Sequence, residues 1–502
     1  MRYVCVHGHF YQPPRENPWT GEIDDEPSAA PFPNWNARIA AECYEANGAA
    51  RVGEAADEVQ NNYAWMSFNF GATLLDWMAR AKPGLLDSLR AADRASRRRW
   101  SAGNACAQGF HHAILPLCSP RDKVTEVRWG LDAFAHYFGR PARGLWLPEA
   151  AVDVATLEVL ASLGVEFTIL APRQARGVRA PGQSVTTPVN ADTLDTRRAY
   201  RAALPSGRSI AVFFYDGPHS RSVAFDGALS NGERFGQGLV EAARRGEDGT
   251  LLHLATDGES YGHHHRFGDL ALAYALRGVQ GAGDVELTNY ARYLRAHPPQ
   301  WEVDIVEPSS WSCAHGVERW RSNCGCAADA GAVGHHGWRT ALRVALDGLR
   351  DDLAAAYVVG LRELVEDPWA LRDGAMAASY EGGDALRQHV ASHASRALSD
   401  AEVDRVMQHL RMQRSALAMF ASCAWFFDDP GGIEPVNGLR NAARALSDYE
   451  RLTGRTDAGE RWRRALVGLR RTTGSPLCRD EILRDRVYSA RPASTSTAST
   501  IS

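Results

Sequence analysis

Short apolar runs that stop at polar residues recur along the first 300 positions of the chain. Tyr3–Val6 opens into His7-Gly-His9-Phe-Tyr11-Gln12-Pro13. Asn62–Gly71 contains Ser67-Phe-Asn69-Phe. Leu145-Trp146-Leu147 follows a glycine and precedes Pro148-Glu149. Val165–Leu170 is bounded by Gly164. Ser209–Tyr215 ends in Asp216-Gly217-Pro218-His219, and Thr250–Thr256 ends in Asp257-Gly258-Glu259. Each run reads as a buried strand closed by turn residues. Helical spacing fills the gaps, at 74–80, 84–99, 151–163 and 269–277. Ser119-Pro120-Arg121-Asp122 starts another helix with a capping Ser and an early Pro. Val124, Val127, Leu131, Phe134 and Phe138 line one face of it, and Gly139 stops it. Strand and helix in alternation predict parallel pairing with right-handed crossovers. The expected fold class is α/β, a barrel that presents the polar strand ends on one face.

From about residue 300 the texture changes. Residues 301–337 form an aromatic, cysteine-rich loop region, placed at the cleft. Residues 338–490 carry Ala/Leu/Arg-rich helical patterns at 338–366, 384–397, 399–421, 435–452 and 456–473, so a mainly α-helical C-terminal domain is expected there. Residues 491–502 are Ser, Thr and Ala and are expected to be disordered. The barrel is thus assigned to 1–300. Gly278–Gly283 follows a helix, not a strand, and reads as a turn.

Composition narrows the classes. A net charge of −4 gives no case for nucleic acid or a membrane surface as partner. Nine Cys scattered through a long chain argue for reduced thiols. The N-terminus lacks a signal-like apolar stretch, so a cytoplasmic location is expected. Oligomeric state is open. Fourteen Trp suit sugar faces, and Trp311, Arg319 and Trp320 together make a candidate sugar platform, with packing as the competing reading.

Two carboxylates carry the candidate chemistry. Glu149 and Asp257 each end an expected strand, so a parallel barrel lets them meet across its mouth. Glu149 alone also reads as the start of the next helix, near its positive end. As a pair they suit glycoside hydrolysis, with one carboxylate attacking the anomeric carbon and one acid protonating the leaving oxygen. Asp216 and His219 end another strand on the same face. They read either as substrate contacts or as turn residues.

His9-Phe-Tyr11-Gln12-Pro13, Phe110–Leu117 with His111-His112, Trp146-Leu-Pro-Glu149 and Thr256–Gly262 occur in the order of the motifs of glycoside hydrolase family 57. The first 300 residues or so resemble that family of retaining α-glucan-active enzymes. The resemblance implies an incomplete (β/α)7 barrel, with a helical domain completing the cleft. It implies Glu149 as nucleophile and Asp257 as general acid/base. It implies His9, Gln12, His112, Trp146 and Glu259 near substrate. Tyr11 stands where the family commonly has a second His. The implied partner is an α-glucan, and no cofactor is implied. The C-terminal part resembles an uncharacterised helical domain found in some members.

Two other readings stay open at this level. A barrel that keeps the cleft without turnover would be a carbohydrate-binding or regulatory protein. His7-x-His9, with Asp257 or His253, also looks like the metal pair of a metal-dependent hydrolase. Neither is preferred, and no metal is expected. Cys313, His315, Cys324 and Cys326 are four possible zinc ligands. Their single-residue spacings favour a reduced loop without metal.

Overall fold

The computed structural model describes residues 1–53, 58–328, 336–469 and 479–491. The chain forms two compact units. One holds Met1–Gln12, Asp25–Gln108 and Tyr137–Trp311; the other holds Pro13–Asp24, Gly109–His136 and Ser312–Ser502.

The first unit is built on seven strands, numbered here in chain order. They are β1 (Arg2–Phe10), β2 (Ser67–Phe70), β3 (Ala105–Gln108), β4 (Leu145–Trp146), β5 (Phe167–Leu170), β6 (Ser209–Phe214) and β7 (Leu251–Asp257). β1 is central, parallel to β7 on one side and to β2 on the other. β3 and β4 continue the parallel run. A parallel bridge from Gly144 to Phe167 carries it on to β5, which pairs parallel with β6. Gly144 is the only residue type this bridge accepts, because a Cβ there would lie 2.2 Å from the Phe167 ring. Beyond β6, the Asp216 N–H donates to His253 O at 2.7 Å. The fold is an incomplete seven-stranded α/β barrel, and its core includes fully buried Val4, Val6, Leu254 and Val212.

The stretch after β5 is not irregular. Ala199–Ala203 pairs antiparallel with β6 through a tight turn in which Gly207 has φ +81°. Trp301–Ile305 joins parallel to Ala199–Ala203 and antiparallel to Ala175–Arg179. These antiparallel strands extend an otherwise parallel sheet. Their apolar signal is diluted by arginines, so alternation at 175–179 and 199–203 is hard to see.

The second unit is helical. Trp338–Leu361, Gly383–Ser392, Asp400–Ala418, Ile433–Thr453 and Asp457–Ala465 fall within or near the expected patterns. Pro368–Glu381 is an additional helix. Its start follows a known rule: Asp367 accepts from the N–H groups of Trp369 and Ala370, with Pro at the first position. The segment 109–136 belongs to this unit because buried Arg372 donates to Asp122 (2.8 Å), Thr125 (2.8 Å) and Gln413 (2.9 Å). A buried cation needs such partners: both Nη groups of Arg372 have them, while its Nε has none among the described residues. The expected disordered tail lies outside the described residues, save for its first residue. No helix among the described residues is long and apolar enough to cross a membrane.

Candidate active site

The C-terminal ends of β1, β2, β4 and β7 gather the polar residues of the first unit. In register, His9 on β1 stands between Asp257 on β7 and Asn69 on β2. His7 and His9 point to one side of β1, two residues apart. Asn69 joins them. Its Nδ2 donates to His9 Nδ1 (2.9 Å) and Gln108 Oε1 (2.7 Å), and its Oδ1 accepts from His7 Nε2 (3.0 Å). The Ser67 hydroxyl pairs with His7 Nδ1 at 3.0 Å. Trp146 lies flat against both imidazoles, 5.0 Å from each centroid and tilted 17° and 18°. Burial pushes both histidines down to about 3, so both rings are neutral. Both nitrogens of His7 are engaged, by Ser67 and Asn69, so Asn69 links the two rings into one hydrogen-bonded network.

Glu149 follows β4 in a single turn, Pro148–Ala150. It adopts φ +56° and ψ +23°, and Ala150 also has positive φ, +45°. Two consecutive left-handed residues with side chains are strained, and such strain persists only where the surroundings over-determine it. Here they do. Trp311 N–H donates to Glu149 O (3.0 Å), and its indole Nε1–H donates to Glu149 Oε2 (3.0 Å). Gln174 Nε2 donates to Ala150 O (2.8 Å), and Val152 and Ser309 exchange backbone hydrogen bonds. The Trp311 ring meets Trp146 edge-on at 5.0 Å and His9 at 6.0 Å. Glu149 therefore does not open the next helix. That helix is Val154–Ser162, capped by Asp153.

Asp257 ends β7. The residue is exposed to solvent, yet protein surrounds its carboxyl closely. Burial pushes it well above the usual carboxylate range, and the charges of Glu259 and then Glu149 add to the push. Asp257 and Glu149 are thus close enough to sense each other's charge.

Glu259 is buried. The Tyr44 hydroxyl donates to its Oε1 at 2.5 Å and the Tyr11 N–H at 3.1 Å. Burial raises it to about 7 against these hydrogen bonds and that of Gln12. A carboxyl raised from 4.5 when folded holds its proton more tightly than in the unfolded chain. Stability from this group is therefore lost as pH rises between those values. Glu259→Gln mimics the protonated form. Its Tm relative to the parent should be a few degrees higher at about pH 8 than at about pH 5. An offset that is the same at both pH values would mean that Glu259 does not titrate in that window.

Asp216 caps the helix Gly217–Ala224, accepting from His219 N–H (2.9 Å) and pairing with His219 Nδ1 (2.8 Å). The pair is local to that turn. His112 and Trp320 belong to the second unit. His112 Nδ1 pairs with Ser422 Oγ at 2.6 Å, and Trp320 is fully buried. Arg319 turns inward, 3.8 Å above the Phe426 ring. Of the expected platform, Trp311 alone is partly exposed. Two residues escaped the sequence reading. Asn69 is a polar residue inside a buried strand, a usable signal. Tyr44 ends a wide π turn, Ala40–Tyr44, for which the sequence offers no signal.

The model of the family described as "Glycosyl hydrolase family 57" matches residues 36–306, more than half of the chain. The chain belongs to glycosyl hydrolase family 57. Residues 335–466 match a "Domain of unknown function" model. Among family 57 relatives, α-amylase 1 of Dictyoglomus thermophilum is 23% identical over 105 residues, 21% of this chain and 15% of that protein. The matched stretch thus spans under a sixth of that relative's length. A maltose-forming amylase from Pyrococcus sp. ST04 superposes with TM-score 0.67 at 16% identity, covering 92% of this chain and 82% of that one. A branching enzyme from Pyrococcus horikoshii gives 0.56 at 13% identity, covering 97% and 96%. These likenesses concern the fold.

Proposed function

We propose that this family 57 protein is a retaining glycoside hydrolase or transglycosylase acting on α-glucans, with Glu149 as nucleophile and Asp257 as general acid/base. The observation that carries the reading is Glu149 itself: a strained, indole-held carboxylate within reach of the charge of an acid whose surroundings raise its hold on a proton. Glu149 attacks the anomeric carbon while Asp257 protonates the departing glycosidic oxygen. A covalent glycosyl-enzyme results. Asp257, now a carboxylate, takes the proton of an incoming water or sugar hydroxyl, and Glu149 leaves. Water as acceptor gives hydrolysis; a sugar gives transfer. Amylase and branching-enzyme relatives are consistent with either outcome. The neutral His7–Asn69–His9 network and Trp146 fix the floor against which a glucosyl unit would sit. Tyr11 and Trp311 offer partly exposed rings for its apolar face.

The test is incubation of the full chain with maltooligosaccharides and glycogen, with product lengths and anomers read by NMR. New α-anomeric products support the reading. Binding without any product points instead to a carbohydrate-binding protein, and β-anomeric products refute retention.

Trp311 acts here as a positioning residue. Trp311→Phe keeps a ring for stacking but removes the N–H held by Glu149 Oε2. We expect kcat to fall about tenfold or more with KM nearly unchanged. A rise in KM at constant kcat would show that the ring serves substrate binding alone.

A further inference from the structure

Four metal-binding side chains converge in the second unit, in a segment the proposed chemistry does not use. Cys313 Sγ lies 3.9 Å from Cys324 Sγ and 3.8 Å from Cys326 Sγ, and Cys326 Sγ lies 3.6 Å from His315 Nδ1. All four donor atoms fall within 4.8 Å of one another. No disulfide joins the thiols. Tetrahedral zinc with bonds of about 2.3 Å to sulfur and about 2.0 Å to nitrogen has S···S edges of roughly 3.8 Å and S···N edges of roughly 3.5 Å. The three measured edges have these lengths.

The spacing Cys-x-His and Cys-x-Cys argued against a shared ion, because adjacent side chains diverge on a regular backbone. A glycine removes the objection for the second pair, and the first closes up at a glycine just beyond it. Gly316 and Gly325 have φ +82° and +81°. Gly325 separates Cys324 from Cys326, and its left-handed turn lets both sulfurs approach Cys313. A side chain at that φ would be strained.

Charge and chain order point the same way. Three thiolates and one imidazole around a dication leave one net negative charge. Arg339 is wholly buried, and it donates to Cys326 O at 2.7 Å. Among the described residues, Arg339 Nε and buried Arg319 Nη2 have no hydrogen-bond partner. Arg339 faces one carboxylate, Asp428 at 3.4 Å, and an anionic centre offsets the positive charge that remains on the pair. The segment 312–328 has one short helical turn of its own, Glu318–Trp320. Loops of this length without internal ladders are uncommon, and a metal link supplies the missing constraint.

We propose that Cys313, His315, Cys324 and Cys326 bind one zinc ion as a closed structural site. Four protein ligands leave no position for a reacting water, so the ion holds the loop and takes no part in glycosyl transfer. The full chain, expressed with zinc and purified under reducing conditions without chelator, should contain about one zinc per chain by elemental analysis. Cys324→Ser and Cys326→Ser should each retain less than about a tenth of it, and Cys118→Ser should retain all. Because a ligand variant can fail to fold, the unaltered chain supplies the second arm. Stripped of metal and titrated with Co²⁺, it should develop the visible d–d and near-ultraviolet sulfur-to-cobalt bands of a tetrahedral thiolate site, and Zn²⁺ should abolish them. The proposal is overturned by an unaltered chain with neither zinc nor these bands, by iron in place of zinc, or by a disulfide from Cys313 to Cys324 or Cys326 in alkylated peptides.

Discussion

Glu149→Ala should lower turnover of maltooligosaccharides by about a thousandfold or more while leaving their binding intact, because the covalent step has no substitute nucleophile. The loss should be confined to chemistry. Removing the carboxylate takes away one hydrogen bond to the Trp311 indole but leaves the backbone link from Trp311 N–H to residue 149. Azide makes the test specific. In the space left by the carboxylate, azide attacks an activated aryl α-maltoside from the face Glu149 would have used. The product should be the β-glycosyl azide, formed with a single inversion. Isothermal titration with a maltooligosaccharide checks that binding survives. Full activity in Glu149→Ala, or an α-azide product, would refute the nucleophile assignment. The strain at φ +56° adds a second readout. Glu149→Gly relieves a left-handed position, so it should be at least as stable as Glu149→Ala and equally inactive.

Asp257→Asn should cost roughly a hundred- to ten-thousandfold on natural glucans, the usual worth of a positioned acid. Far less should be lost on an aryl maltoside whose leaving group needs no proton. This contrast separates an acid from a residue that merely shapes the site, since a structural role would penalise both substrates alike. The pH profile follows from the direction of the shift. Burial, Glu259 and Glu149 all raise Asp257, so the protonated form survives above the ordinary carboxylate range, and activity should fall as pH rises through the raised value. That alkaline limb should vanish in Asp257→Asn with the activated substrate. Glu259→Gln removes the stronger of the two neighbouring charges, so it should move the limb to lower pH. An unmoved limb would mean that another group controls it. Azide with Asp257→Ala should give the α-azide, the opposite anomer to that from Glu149→Ala.

Much of the barrel was legible because its strands are short apolar runs ending in Gly, Pro or a carboxylate. The helix start at Ser119 was legible for the same local reason, since a capping group is adjacent in sequence to what it caps, whereas the helix expected from 151 begins only after its cap Asp153. The antiparallel strands at 175–179, 199–203 and 301–305 were not. Their pairing is decided by partners up to 130 residues away (Ala175 with Ile305), and arginines blur their alternation. The helix Pro368–Glu381 was missed although its Asp-Pro start was present.

The site divides along the same line. Residue types and order in the chain determined which carboxylates bear the candidate chemistry, because a strand end and its terminal residue are neighbours in sequence. Only the tertiary structure decided their condition. Asp257 becomes a candidate acid through enclosure, through Glu259 two residues on, and through the charge of Glu149 brought from another strand end. Glu149 is held by an indole 162 positions away, in a backbone state that no local preference would choose. Asn69 ties two histidines of one strand from the next. The four side chains at 313–326 were visible as letters, but the approach of Cys324 and Cys326 to the others depends on the left-handed glycine between them. Local patterns choose elements; distances, charges and protonation arise where elements far apart in the chain meet.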